Sequence, residues 1–184
     1  MVRAPGSHEV GLYPRGVATR GGSQIKDRDR SLVYSAEDLW SKALDRGGVV
    51  NFFGSTFTLP QQKIFGDLSA MQRTVDFWLQ SEPLQSRFPN LGPLVVRGRK
   101  GERKAHYEPE GVIAIPLDQT WACKEAVLAH EFAHHCVWNA HTPSHGPAFR
   151  QAMVEVANLV FGAEAALLLR AAYDGAGLEV ADAT

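Results

Sequence analysis

Five residues, His130-Glu131-Phe132-Ala133-His134, constrain this chain more than any other feature. Two histidines four apart lie one turn apart on the same face of a helix. They can then aim two imidazole nitrogens at one ion, while Glu131 stands beside them and reaches a water without ligating. Leu128, Phe132 and Val137 give the same segment apolar surface to bury, so the motif is expected on a core helix over residues 121–138. Two buried imidazoles and a carboxylate are costly in a core without a partner. A metal site is therefore expected, with His130 and His134 as ligands and Glu131 as general base.

A catalytic zinc takes a third protein ligand and keeps one position open for water. His135, His141, His145 and Glu155 follow the motif. His135 points about 100° away from His134 on a helix, which makes it a poor choice. A metzincin would place Gly three residues and His six residues after the second motif histidine. Those positions hold Val137 and Ala140, and His141 is one place off. His145 is best placed. Gly146 allows an unusual backbone angle and Pro147 suits the first turn of a new helix, so the chain can bring His145 back over the metal. Glu155, one turn or more into that helix, is the alternative ligand. Three imidazoles suit zinc best, although they also accept nickel, cobalt or copper.

The stretch HEFAHHCVWNAHTPSHGPAF closely resembles the active site of SprT-like metallopeptidases, in which an H-E-x-x-H helix is followed by a loop and His-Gly-x-x-aromatic. Residues 145–149 match the second element. The resemblance implies His130, His134 and His145 as zinc ligands, Glu131 as base, and a small zincin-like fold. The wider chain, through VYSAEDLW, GSTFTLP, HYEPEGVIAIP and the Ala- and Leu-rich C-terminal helix, is similar over residues 31–175 to a metallohydrolase family of actinobacteria and their phages. The chain lacks the cysteine cluster of the zinc ribbon that longer SprT-like enzymes often carry for nucleic acid.

The rest of the chain frames this site. Residues 1–30 hold many Gly, Arg and Ser residues and read as a flexible tail, with residues 31–184 as one hydrolase domain. A helix is expected over residues 35–46, capped by Ser35, with Glu37 and Asp38 favouring the positive end of its dipole. Residues 49–59 read as a strand broken near Gly54, and residues 67–79 as a helix. Residues 94–97 and 103–108 read as two strands joined through the turn 98–101, with a third short strand at 111–116. Helices over residues 147–161 and 163–173 complete an α+β pattern, an antiparallel sheet of about three strands packed on the motif helix. Pro109 and Pro116 would suit an edge strand along the cleft at residues 112–115, and an interior strand is equally open.

Composition excludes little but points one way. Net charge is −1 and the sequence pI about 6.7, which gives no whole-molecule attraction to nucleic acid or an anionic membrane. No apolar run reaches the roughly 20 residues of a membrane span, and residues 1–22 lack a secretory apolar core. A cytoplasmic protein is expected. Cys123 and Cys136 would sit about 20 Å apart on one helix, too far for a disulfide, and read as reduced thiols. Arg97, Arg99, Lys100, Arg103 and Lys104 form a basic cluster. Without interleaved aromatics, a solvated hairpin tip is the plainer reading than a nucleic-acid contact. Tyr107 and His106 are candidate oxyanion donors, more simply strand residues. The expected function is metal-assisted hydrolysis of a peptide or protein. Hydrolysis of a non-peptide amide, or a metal-stabilised binding protein closed by His141 or Cys136, are the alternatives.

Overall fold

The computed structural model describes residues 27–52, 54–101, 104–138, 142 and 144–182. Six α-helices and two small sheets make a mixed α+β molecule. Most of the expected flexible tail, residues 1–26, lies outside the described residues, as do Arg103 and His141. Among the described residues, no helix is long and apolar enough to cross a membrane.

Helix α1, Arg30–Arg46, starts five residues before the expected cap. Ser35 is inside it, its hydroxyl donating to the Ser31 carbonyl at 2.9 Å. Val33, Ala36, Trp40, Ala43 and Leu44 form its buried stripe. The Trp40 indole donates to the Ala165 carbonyl at 2.9 Å, which ties α1 to α6 (Ala163–Gly175). Strands β1 (Gly48–Phe52) and β2 (Ser55–Leu59) form an antiparallel hairpin turning at the expected break. Helix α2, Leu68–Gln80, is capped by the Asp67 carboxylate, which accepts from the Ala70 N–H at 2.7 Å. A short helix α3, Glu82–Arg87, was not foreseen.

The second sheet departs from the sequence reading. Strands β3 (Val95–Gly98), β4 (His106–Glu108) and β5 (Val112–Ile115) are ordered β3-β5-β4. Residues 98–101 therefore do not close a hairpin, because β3 and β4 never pair. β5 lies between them, parallel to β3 and antiparallel to β4, so the sheet is mixed rather than antiparallel. Ile113, Ala114 and Ile115 are fully buried, and an apolar run of this kind belongs at a sheet's centre. This corrects the edge-strand reading of residues 112–115. Both edges of β5 are used, and β4 is the strand beside the cleft.

Residues 121–138 are not one helix. A 3-10 turn, Thr120–Cys123, precedes helix α4, Glu125–Val137. The buried Glu125 carboxylate accepts from the Lys63 backbone N–H at 3.0 Å and from its ammonium at 2.8 Å, which fixes where α4 begins. α4 packs on β4 and β5 on one side and on α5, Pro147–Phe161, on the other. The Phe132 ring meets Trp78 of α2 edge-on at 5.3 Å. Leu128, Ala129, Phe132 and Ala133 are fully buried, so the motif helix is the spine of the core. Both cysteines are free thiols.

Candidate metal centre

α4 presents His130 and His134 on one face, and the turn entering α5 returns His145 to them. One nitrogen from each of the three lies within 4.8 Å of the others, and all three residues are buried. His130 Nε2 and His145 Nε2 are 3.3 Å apart. The Phe149 ring stacks on His134 with centroids 4.3 Å apart, and Tyr34 stacks on His130 at 5.4 Å. These rings hold two of the imidazoles flat and keep water from their faces.

Two carboxylates set the orientation. His130 Nδ1–H donates to Glu37 Oε2 at 2.6 Å, and His145 Nδ1–H donates to Asp27 Oδ2 at 2.6 Å. Each bond leaves an Nε2 lone pair aimed inward. Two lone pairs facing each other at this separation repel unless a proton or a metal ion joins them. The donor set therefore fits a metal with imidazole preference, and zinc is among those it suits. Glu37 also accepts from the Tyr173 hydroxyl of α6. The His145 carbonyl accepts from buried Arg150 Nη1 at 2.7 Å, and the same nitrogen reaches Asp29 Oδ2 at 2.9 Å. Arg150 Nε donates to the Glu179 carbonyl at 2.6 Å.

The electrostatics follow from burial and crowding. Burial works against a charged His130, yet the Glu37 carboxylate outweighs it and raises the pKa above the usual imidazole value. Burial and then the neighbouring His130 and His145 charges push His134 well below it. Burial also lowers His145, opposed by Asp27. Burial raises Glu131, opposed by His130, His106 and the nearby Tyr107 backbone.

The other candidates are engaged elsewhere. Glu155 is held by Arg87, through Nε at 2.5 Å and Nη2 at 2.7 Å, and by Gln151 at 2.6 Å. His135 points away, with Nε2 donating to the Gly92 carbonyl at 3.0 Å and Nδ1 accepting from the Tyr107 hydroxyl at 3.1 Å. The Tyr107 hydroxyl is thus turned from the site. His106 lies between Arg99 and Glu108 on the cleft wall. Cys136 is outside the cluster.

Sequence reasoning missed Glu37, Asp27 and Tyr173. Asp27 falls within residues 1–30, which read as a tail. Glu37 was assigned to a helix dipole, although it follows Val33 by four residues and precedes Trp40 by three. An acid on a buried stripe needs a partner, and that signal was present.

The fold and the cluster together define a mixed α+β protein with a buried three-histidine site able to hold a metal ion. Compared with protein-family models, curated proteins and solved structures, the chain matched none.

Proposed function

We propose that this chain is a zinc-dependent hydrolase that cleaves amide bonds in peptides or proteins. One observation carries the reading. Three buried imidazoles converge, two with Nδ1 fixed by carboxylates, and a buried glutamate that ligates nothing stands beside them. A site serving stability alone has no use for that glutamate, and among the described residues no fourth side chain joins the cluster. The likeness of residues 130–134 and 145–149 to the SprT-like active site supports the same reading.

His130, His134 and His145 would hold the ion. When bound, zinc supplies Lewis acidity and lowers the pKa of a water toward about 7. Glu131 would accept the proton of the attacking water and pass it to the leaving nitrogen of the amide. A cleft of about 430 Å³, with Glu131, His134 and His145 among its walls, gives the substrate access. A larger cavity of about 690 Å³, between α2 and Leu159 of α5, contains no metal-ligating cluster among the described residues.

Elemental analysis and peptide hydrolysis test this together. Wild type and Glu131→Gln should each retain about one zinc, as folding supplies the site in both, while His145→Ala loses it. Peptide hydrolysis should survive only in wild type. A wild type that holds no metal when zinc is supplied would falsify the reading. Full activity in Glu131→Gln would remove its base.

A further inference from the structure

Two cavities meet at the candidate metal centre, and the residues between them define what a substrate must carry. The inference rests on the hydrolase reading and adds the substrate's chemistry. The first cavity is the cleft already described, where Arg30 and Lys104 stand with Glu131, His134 and His145. The second, about 370 Å³, lies on the other side of Tyr34 and Lys104. Tyr34, Lys104, Ala105 and Glu131 line both. An amide at Glu131 would therefore have one flank in each space.

The second cavity is apolar by the residues that face it. Trp40, Trp121, Ala126 and Val127 line it, with His130 and Glu131 at its metal end. Its polar neighbours are committed elsewhere. Asp38 pairs with Lys42 at 2.6 Å, Lys124 with Asp45 at 2.6 Å, and Glu37 with His130. Trp121 is 40% exposed at the rim, where an entering side chain would cover it. A concave apolar space that ends on reactive groups selects a side chain by shape.

The first cavity brings the cations Arg30, Arg99 and Lys104 together with two carboxylates, Glu131 and Asp27, the latter bonded to His145. Lys104 Nζ lies 4.1 Å above the Tyr34 ring centroid, and the Arg30 guanidinium lies 5.5 Å from the same centroid. Among the described residues neither cation is paired with a carboxylate. Burial, and then repulsion from Arg30, disfavour the Lys104 charge, opposed in part by Glu131. Lys104 is also held at φ 38°, a region that costs a non-glycine residue energy. Arg99 Nη1 pins it there by donating to its carbonyl at 2.9 Å. An anion arriving between Lys104 and Arg30 would offset the repulsion between the two cations that share the Tyr34 ring.

We propose that the substrate places a large apolar side chain in the Trp40–Trp121–Val127 cavity and a neighbouring carboxylate against Lys104 and Arg30. The carboxylate has two sources, a peptide's C-terminus or an acidic side chain beside the apolar one.

Calorimetry on the zinc-loaded protein tests this without turnover. The probes are 2-benzyl-3-sulfanylpropanoic acid, its primary amide, and 3-sulfanylpropanoic acid. The thiol seeks the metal in all three. The benzyl acid should bind at least about tenfold more tightly than its amide, the scale of a charge-assisted contact. Lys104→Gln and Arg30→Gln should erase that difference and leave amide binding and zinc content unchanged. The benzyl group should add about tenfold or more over the unsubstituted acid, and Val127→Phe, which fills the cavity, should remove that gain. Equal binding of acid and amide overturns the proposal, as does a Lys104→Gln variant that weakens both alike. Displacement of the probe from Glu131→Gln by a peptide ending in free Phe, but not by Glu-Phe-amide, assigns the carboxylate to the chain end. The reverse assigns it to a side chain, and displacement by neither overturns the proposal. Failure of the hydrolase reading would show separately, as absent zinc or as activity that ignores Glu131.

Discussion

Glu37 shows how much of a metal site is decided by residues that never touch the metal. It is buried, and its two oxygens serve different masters, His130 Nδ1 and the Tyr173 hydroxyl. Removing it frees the imidazole to rotate and leaves the tyrosine hydroxyl unpaired in the core. Outer-sphere carboxylates of this kind are worth about 10–100-fold in metal affinity. Glu37→Ala should therefore weaken zinc binding by about that factor, read by competition with a chromophoric chelator. Tyr173→Phe should weaken it less, since His130 keeps its carboxylate. Unchanged affinity in Glu37→Ala would mean that packing alone, through the stacked Tyr34 ring, holds the imidazole. The ligands themselves were legible in the sequence because their spacing encodes a helix face. Their carboxylate partners were not, since Asp27 and Glu37 lie 118 and 93 residues from His145 and His130. No local pattern reports a pairing over that distance.

Elements were read well where periodicity is strong and poorly where short strands compete for partners. Helix α2 and the start of α5 came out as expected, since Asp67 and Pro147 mark them chemically. The β3–β4 hairpin failed for a physical reason. Residues 98–101 have good turn chemistry, but β4 has three residues, too few to outweigh the apolar β5 as a partner for β3. The tight connection actually falls between β4 and β5. Gly111 sits there at φ 82°, its N–H donating to the Glu108 carbonyl at 3.0 Å and its carbonyl accepting from Val95 N–H at 3.0 Å. A Cβ on Gly111 would lie 2.7 Å from the Pro93 carbonyl oxygen, whereas one on Gly98 meets side-chain ends alone, Leu68 at 3.4 Å and Leu117 at 3.9 Å. Gly111→Ala should cost at least about 1–3 kcal/mol, the scale of a strained backbone position, and Gly98→Ala well under that. Denaturant midpoints of the two variants check it. A larger loss in Gly98→Ala would count against Gly111 as the strained turn position.

At the scale of the whole molecule, the site is where distant parts of the chain are tied together. Asp27 and Glu37 come from one end, Tyr173 and Glu179 from the other, and α4 lies between. Arg150, 2% exposed, links the two ends to the third histidine by bonding Asp29, Glu179 and the His145 carbonyl. A methionine of similar length keeps the packing and deletes all three bonds. Hydrogen bonds to charged groups contribute about 1.5–3 kcal/mol when buried, and Asp29 is half in solvent, so Arg150→Met should lose at least about 2 kcal/mol of stability. Its effect should be larger in the zinc-loaded protein, because the loop that positions His145 is then also contributing ligand energy. A ligand that binds only the folded chain at about a thousand times its Kd adds about 4 kcal/mol. Chelation should accordingly lower the wild-type Tm by several degrees and narrow the gap between wild type and Arg150→Met. A gap that chelation leaves unchanged would mean that Arg150 braces the two ends independently of the metal, and that His145 is held in place by Phe149 and Asp27 alone.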